Sequence, residues 1–221
     1  MSATDSEASP AKVDAPGPVL VDKTLTYRFC RGASRSGLKL FNRLRVVDAD
    51  NVPATGGALF VSNHQSFLDI PAIAASTKRH VSFVARDSLA DARWLAFVMR
   101  ECGAVLVKRG AADRKALREM TDHLEAGDCV AIFPEGTRSR DGSLGEFRGG
   151  ALLAARKAEV PIVPVGIRGA IDVWPRSRKF PRPGGIQVAF GAPLDGRDPA
   201  AANALRAAIE SLVGDGRFPR G

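Results

Sequence analysis

Short apolar runs rich in β-branched residues alternate with segments of helical periodicity along most of the chain. The apolar runs predict six strands, over residues 58–62, 81–85, 104–108, 129–133, 161–167 and 186–190. The helical segments fall at about residues 66–77, 93–101, 112–126, 150–158 and 199–213. This alternation predicts an α/β layered domain over residues 48–215, with a central, largely parallel or mixed sheet flanked by helices.

The N-terminal part of the chain has a different pattern. Residues 1–18 are rich in Ser, Ala and Pro and lack apolar periodicity, so we expect a disordered tail there. From Lys23 to Val47 the chain carries seven basic residues and no acid, interleaved with aromatic and aliphatic side chains. We therefore predict a basic amphipathic helical segment over residues 19–47, in two helical pieces broken between Gly32 and Gly37.

This basic segment has two open interpretations. It is either a helix packed on the core with a solvated basic face, or a helix that lies in a membrane interface and is attracted to anionic lipid. The chain has a net charge of +8, and residues 1–22 contain four acids and one lysine, so the remainder carries +11. An anionic membrane surface is the partner that we expect from this charge, and nucleic acid is not.

Cysteine content and hydropathy exclude several classes of protein. The three cysteines, Cys30, Cys102 and Cys129, are far apart and have no C-x-x-C spacing, so neither a disulfide framework nor a zinc or other metal site is expected. No run reaches the roughly 18 consecutive apolar residues of a membrane span. The N-terminus carries acids where a signal peptide carries basic residues, so we expect neither secretion nor a transmembrane helix.

His64 is the one histidine whose setting suggests chemistry. It lies just past the carboxyl end of the predicted strand 58–62, where open α/β sheets place their ligands. Asp69 follows five residues later, inside the first turn of the next predicted helix, so its carboxylate could fix the His64 tautomer and stabilise an imidazolium. A capping or core role is the alternative for such a pair, and it is the one we assign to His80 and His123.

A second candidate site is the turn Phe133-Pro-Glu-Gly-Thr-Arg138, which follows the predicted strand 129–133. Its glycine N–H, threonine hydroxyl and arginine guanidinium are the groups of a phosphate-binding turn. The alternative is a surface turn with an internal ion pair between Glu135 and Arg138. A third candidate is Gly103-Ala-Val-Leu-Val-Lys-Arg109, which ends a predicted strand with two basic residues.

The order of these segments resembles the four sequence blocks of the glycerolipid acyltransferase family. The blocks are H-x-x-x-x-D at His64, G-x-x-x-x-x-R ending at Arg109, F-P-E-G-T-R from Phe133, and V-P-I-V-P-V-G from Val160. The resemblance covers about residues 55–170 and is greatest to the 1-acyl-sn-glycerol-3-phosphate acyltransferases. The joint presence of N-H-Q-S-x-x-D and F-P-E-G-T-R-S makes the match specific.

The resemblance implies a role for each block. It makes His64 the general base, Asp69 its orienting partner, and Pro161 part of the block on the acyl-donor side. Arg86 and Arg148 stand at positions where similar proteins often have lysine. Because the positive charge is kept, these departures do not put the activity in doubt, but they put the preference for the acyl donor in question. The residues implied to hold the phosphorylated acceptor are Arg109, Glu135, Gly136, Thr137 and Arg138.

The expected reaction moves a fatty acyl group from acyl-CoA or acyl-carrier protein to lysophosphatidic acid, without a cofactor. No G-x-S-x-G motif is present and no cysteine has a base beside it in sequence, so direct attack in a ternary complex is favoured over an acyl-enzyme. We expect peripheral attachment to the cytoplasmic face of a membrane. The alternatives are an acyltransferase that acts on another lysolipid and a basic lipid-binding protein without catalytic activity.

Overall fold

A computed structural model of the chain describes residues 24–86, 93–107, 114–147, 151–198 and 200–219. The tail expected over residues 1–18, and Arg109, lie outside this set. The strands are β1 (Arg45–Val47), β2 (Ala58–Ser62), β3 (Val81–Arg86), β4 (Val105–Val107), β5 (Cys129–Ile132), β6 (Ile162–Arg168) and β7 (Gln187–Phe190). The helices are α1 (Leu25–Asn42), α2 (Asp69–Ser76), α3 (Arg93–Glu101), α4 (Arg114–Glu125), α5 (Ala151–Lys157), α6 (Ala170–Val173) and α7 (Ala201–Val213), with a 3-10 turn at Ala49–Asn51.

All seven strands of the described residues join one sheet, in the order β1-β7-β6-β2-β5-β3-β4. The five strands from β6 to β4 are mutually parallel, as crossover connections through helices require. Strand β7 is antiparallel to β6, and β1 pairs in parallel with β7. The predicted fold class, a layered α/β domain with a largely parallel or mixed sheet, is confirmed.

Alternate side chains of each central strand enter two cores, one on either face of the sheet. Phe60 of β2 packs on the face covered by α1, α2 and α6. Leu59, its neighbour in β2, packs on the face covered by α4, α5 and α7. Both side chains are fully buried. Because the central strands are buried on both faces, they appear in the sequence as continuous apolar runs.

The N-terminal segment differs from its prediction, because α1 is one continuous helix of 18 residues rather than two pieces. A glycine inside a helix lowers its stability by about 1 kcal/mol relative to alanine. The sequence therefore predicts a break between Gly32 and Gly37. Contacts outside the helix offset that cost. The side chains of Tyr27 and Leu38 are buried, and the N-cap Thr24 accepts a hydrogen bond from the Tyr27 N–H.

Two arginines of α1 also bind the end of α2. Arg31 Nε donates to the Ala74 carbonyl at 3.2 Å, and Arg35 Nη1 donates to the Ala75 carbonyl at 3.0 Å. These carbonyls belong to the last turn of α2 and have no partner within their own helix. These bonds hold α1 against the end of α2, on the face of the sheet that both helices cover.

The remaining differences are short elements at the edges of the predicted ones. The predicted amphipathic segment includes residues 45–47, but these form the edge strand β1, which is too short to show a period of two. Helix α6 has only four residues, about one turn, so it shows no helical periodicity and the sequence does not predict it.

One edge of the sheet gathers the candidate residues. His64 follows β2, Phe133 follows β5 and Gly169 follows β6, and the carboxyl ends of these parallel strands meet at that edge. Because β7 and β1 run the other way, their first residues come to the same edge. The loops at this edge are where a ligand site is expected in such a sheet.

Candidate active site

His64 and Asp69 form a hydrogen-bonded pair at the carboxyl edge of the sheet. The distance from His64 Nδ1 to Asp69 Oδ2 is 2.8 Å, and the Asp69 side chain is fully buried while that of His64 is 19% exposed. A carboxylate can only accept, so the proton between them lies on Nδ1. Nε2 is then the ring nitrogen with a free lone pair, as a general base requires.

The chain around Asp69 explains how the carboxylate is held. Asp69 is the first residue of α2, and its Oδ2 also accepts the backbone N–H groups of Gln65, at 2.6 Å, and Ser66, at 2.8 Å. These two N–H groups precede the helix, so the loop folds back around the carboxylate. Hydrogen bonds to the ionised form offset the cost of burying its charge.

The ring of His64 is also fixed from the side. Its centroid lies 4.0 Å from that of Phe133, with an angle of 17° between the planes, so the two rings are stacked. Phe133 is the residue directly after β5, which brings the turn 133–138 against the His64 loop. The first and third sequence blocks are thus in direct contact.

Glu135 has a different place from the one that the resemblance implied. Its Oε1 accepts the backbone N–H of His64 at 3.0 Å and its Oε2 accepts that of Gly145 at 3.1 Å, so both oxygens are bound inside the protein. The side chain is buried, and burial raises the pKa of this carboxyl above its ordinary value although the two N–H groups oppose the shift. A buried carboxylate bound in this way is not suited to hold a phosphate.

Gly136 was expected to offer its N–H to a ligand. That N–H instead donates to the Phe133 carbonyl at 3.0 Å and closes the turn. The φ angle of Gly136 is +65°, a conformation in which a side chain is strained, so glycine fits the turn for a backbone reason. Thr137 beside it is exposed, and the contact of its hydroxyl with the phosphorylated acyl acceptor stays a prediction.

Arg138 lies against the loop that joins His64 to Asp69. Its guanidinium carbon is 3.6 Å from the centroid of the Phe67 ring, and Phe67 in turn lies 5.1 Å from the Trp174 ring. The Ser66 hydroxyl donates to the Trp174 carbonyl at 2.8 Å, which fixes this aromatic pair. A stacked guanidinium beside the catalytic candidate is suited to hold a phosphate in two-point contact.

Pro161 does not join these residues. It precedes β6 and its carbonyl accepts the N–H of Leu59 at the start of β2, at the amino edge of the sheet. His64 follows five residues after Leu59, which places the two roughly 16 Å apart along the strands. Pro161 therefore lies at the other edge of the sheet from His64, and its place on the acyl-donor side stays a prediction. Arg109 and Arg148 lie outside the described residues.

Two contributors to the site were missed in the sequence. Asn63 exchanges two hydrogen bonds with Ile167, at 2.8 and 3.0 Å, and so joins the end of β2 to β6. Ser139 donates its N–H to the His64 carbonyl at 2.7 Å. A polar residue directly after an apolar run was a usable signal for Asn63, whereas a backbone donor such as Ser139 leaves none.

A second histidine–aspartate pair lies at the opposite edge. His123 Nδ1 is 2.9 Å from Asp128 Oδ2, in the connection that leads into the amino end of β5. The ring of the buried His80 packs on Tyr27, 4.2 Å between centroids. Both histidines have structural settings, as expected. Within the described parts of the chain, no group of three His, Cys, Asp or Glu side chains could hold a metal ion.

The Acyltransferase family model matches residues 43–168, more than half of the chain. A chloroplastic 1-acyl-sn-glycerol-3-phosphate acyltransferase of Arabidopsis thaliana is 32% identical over 160 residues, which are 71% of this chain and 45% of the relative. The 1-acyl-sn-glycerol-3-phosphate acyltransferase of Bacillus subtilis is 25% identical over 173 residues, 78% of this chain and 84% of the relative.

A solved structure agrees with these matches. The crystal structure of the 1-acyl-sn-glycerophosphate (LPA) acyltransferase PlsC from Thermotoga maritima superposes with a TM-score of 0.74 at 28% identity, over 88% of this chain and 81% of that one. The chain spans about half the length of the plant relatives that it matches. The matched region holds the paired His64 and Asp69 and the turn that ends in Arg138, and on these grounds the chain belongs to the Acyltransferase family.

Proposed function

We propose that this chain is a 1-acyl-sn-glycerol-3-phosphate acyltransferase. It transfers a fatty acyl group from acyl-CoA or acyl-carrier protein to the sn-2 hydroxyl of lysophosphatidic acid and gives phosphatidic acid. The observation that carries the proposal is the 2.8 Å pair of His64 and the buried Asp69 at the carboxyl edge of the sheet. The names of the plant and bacterial relatives support the choice of acceptor.

His64 serves as the general base in this mechanism. Its Nε2 takes the proton of the sn-2 hydroxyl while the hydroxyl oxygen attacks the carbonyl carbon of the acyl thioester. The carbon–sulfur bond then breaks, and the imidazolium returns the proton to the leaving thiolate, so the products are an ester and a free thiol. Asp69 stabilises the imidazolium, and base catalysis of this kind is worth about 10²- to 10⁴-fold.

Arg138 binds the phosphate of the acceptor. Its guanidinium is held over the ring of Phe67, in the loop between the two catalytic residues, so an anion bound there lies beside His64. Arg109 and Thr137 stay as further proposed contacts to the same phosphate. Glu135 is left out of the acceptor site because both of its oxygens are already bound to backbone N–H groups.

Release of free thiol from acyl-CoA, with and without lysophosphatidic acid, tests the activity. We expect release that depends on the acceptor, and a loss of at least about 10²-fold in His64→Ala with a native circular-dichroism spectrum. His123→Ala is the matched control, because it removes a histidine with the same kind of aspartate partner at the other edge. Near-normal turnover in His64→Ala contradicts the proposed base.

We also propose that α1 attaches the protein to a membrane surface. Leu25, Phe29 and Leu40 recur along one side of the helix and are 75–80% exposed. Exposed Arg28 and Lys39 flank this apolar stripe, which is the pattern of an interfacial helix on anionic lipid. No helix in the described residues is long and apolar enough to span a bilayer.

The structure narrows which side chains are available to a membrane. Leu38 is buried and the half-buried Arg31 is bound to α2, so both belong to the core side of α1. Arg35 is exposed, but its Nη1 is bound to the Ala75 carbonyl. The C-terminal end of α1 leads to the same sheet edge as His64, since the Ile186 N–H donates to the Asn42 carbonyl there. A lipid substrate held by α1 at a membrane would then be close to the catalytic pair.

Sedimentation with liposomes tests the attachment. The protein should pellet with anionic vesicles and hardly with neutral ones, and roughly 0.5 M salt should release much of it, since the Debye length falls to a few ångströms. The double variant Arg28→Glu, Lys39→Glu and the single Phe29→Ser should each weaken pelleting. Leu153→Ser, an exposed apolar position on the other face of the sheet, is the control. Unchanged pelleting in both α1 variants contradicts this proposal.

A further inference from the structure

We propose that Glu135 and Arg206 position His64 by clasping the loop 143–147 between them. In this role Glu135 is a positioning residue for the reaction, not a ligand of the acceptor. The inference rests on the proposed function, since it concerns the geometry of the proposed base. It adds Arg206, which lies on α7 and outside the region that the family model matches.

The carboxylate of Glu135 links two segments that are far apart in sequence. One oxygen holds the N–H of His64 at 3.0 Å and the other holds that of Gly145 at 3.1 Å. Each is a charge-assisted hydrogen bond to a backbone group, worth more than a neutral one. A shift of the Glu135 side chain would therefore move the backbone of His64 directly.

The backbone of His64 is held on its other side as well. Its carbonyl accepts the Ser139 N–H at 2.7 Å, from the same turn that carries Glu135. Asp69 and Phe133 fix the ring, whereas Glu135 and Ser139 fix the peptide groups. A general base must lie within hydrogen-bond reach of its proton, so an error of 1 Å in this backbone would be costly to catalysis.

Gly145 is shaped for this contact. A Cβ atom at position 145 would lie 3.0 Å from Glu135 Oε2, which is tighter than ordinary van der Waals contact, and 3.4 Å from Glu135 Cγ. A larger residue would push the carboxylate away from one of its two N–H partners. The close approach of the loop to Glu135 therefore depends on the missing side chain of Gly145.

Arg206 holds the loop from outside. Its Nη1 donates to the Gly145 carbonyl at 3.0 Å and its Nη2 to the Leu144 carbonyl at 3.3 Å. The guanidinium is itself oriented by Glu210 Oε1, 2.9 Å from Nε, and by the Phe147 ring, 5.4 Å away. The peptide group between Leu144 and Gly145 is thus bound on two sides. Its N–H donates to Glu135, and its carbonyl accepts from Arg206.

Steady-state kinetics of Glu135→Gln and Arg206→Ala test the clasp. Glutamine keeps the shape but offers one oxygen to two N–H groups, and its NH₂ faces a donor. We expect kcat to fall about 10- to 100-fold in Glu135→Gln and about 3- to 10-fold in Arg206→Ala, with the KM for lysophosphatidic acid within about twofold of wild type. Arg206→Lys should recover part of the loss, because one ammonium can still reach one carbonyl.

Glu210→Gln is the matched control. Glutamine removes the charge of the ion pair, but its oxygen can still accept from Arg206 Nε, and the two bonds of Arg206 to the loop are untouched, so we expect kcat within about twofold of wild type. A raised KM for lysophosphatidic acid with unchanged kcat in Glu135→Gln would make Glu135 an acceptor ligand and overturn the proposal. Unchanged kcat in both Glu135→Gln and Arg206→Ala would overturn it too.

Amide hydrogen exchange gives a second readout that needs no substrate. The N–H groups of His64 and Gly145 should exchange faster in Glu135→Gln than in wild type, while the N–H of Ser139 keeps its protection. If the wild-type protein does not acylate lysophosphatidic acid, this measurement still tests the clasp separately from the proposed function. Unchanged exchange at His64 and Gly145 would show that Glu135 does not hold them.

Discussion

Replacing Asp69 by asparagine is the most informative single change at the candidate active site. Asp69 Oδ2 accepts three hydrogen bonds, one from the His64 ring and two from the backbone N–H groups of Gln65 and Ser66. Asparagine has only one acceptor oxygen. The two backbone donors fix that oxygen in the place of Oδ2, so the amide NH₂ takes the place of the buried Oδ1.

The size of the effect follows from the bond that is weakened. In Asp69→Asn the His64 Nδ1–H meets a neutral amide oxygen that two other donors share, and the imidazolium loses its charged partner. A hydrogen bond to a charged group is worth about 1.5–3 kcal/mol, and 1.36 kcal/mol corresponds to a factor of ten in rate. We therefore expect turnover to fall about 10- to 150-fold, which is less than the loss in His64→Ala.

The thiol-release assay measures this change, and the second pair at the other edge supplies its control. Asp128→Asn alters a His–Asp pair of nearly the same length, 2.9 Å, with a partly exposed histidine and a buried aspartate as at His64. We expect it to lower the unfolding free energy but to leave turnover per folded molecule unchanged. Turnover within about threefold of wild type in Asp69→Asn, with a native spectrum, would refute the orienting role of Asp69.

Three further outcomes follow from the described contacts. Arg138→Lys should raise the KM for lysophosphatidic acid about tenfold, because an ammonium neither stacks on Phe67 nor binds a phosphate at two points, and the effect should shrink with an acceptor that lacks phosphate. Cys102 and Cys129, whose pKa values burial raises from 9.0 to about 11, should react with iodoacetamide at pH 8 at least about tenfold more slowly than an ordinary thiol, as peptide mass spectrometry would show. Burial raises the pKa of Glu135 above 4.5 in the native state, so between 4.5 and the raised pKa the native protein binds a proton that the unfolded chain does not. The contribution of Glu135 to the free energy of unfolding should therefore fall as pH rises through this range. Urea unfolding of wild type and Glu135→Gln measures it, and a wild-type stability that rose with pH relative to Glu135→Gln would contradict the prediction.

The order of strands and helices was readable in the sequence because the central strands are buried on both faces. The predicted strand 58–62 coincides with β2, and the predicted helix 93–101 coincides with α3. Elements that depend on partners far away in sequence were not readable. The edge strand β1 is formed by pairing with β7, and α1 crosses its two glycines because α2 and the sheet hold it.

The site was predictable to the extent that side-chain chemistry and strand ends define it. His64 and Asp69 are paired as expected, and Phe67 adds the platform under Arg138 that no pattern had indicated. The position of Glu135 could not be read, because a carboxylate in a turn is equally suited to a ligand and to backbone N–H groups. Only the fold brings Gly145 and the N–H of His64 to its two oxygens.

The two His–Asp pairs show why spacing alone does not identify a candidate base. Both pairs have four residues between histidine and aspartate, and both bring Nδ1 within 3 Å of a carboxylate. His64 follows a strand, so its loop lies at the carboxyl edge with the ends of β5 and β6. His123 lies in the last turn of α4, and Asp128 leads into β5 at the amino edge, where its carboxylate ties the helix to the strand. We infer that the end of the sheet at which each pair lies, rather than the geometry within it, separates the proposed base from a pair that joins two structural elements.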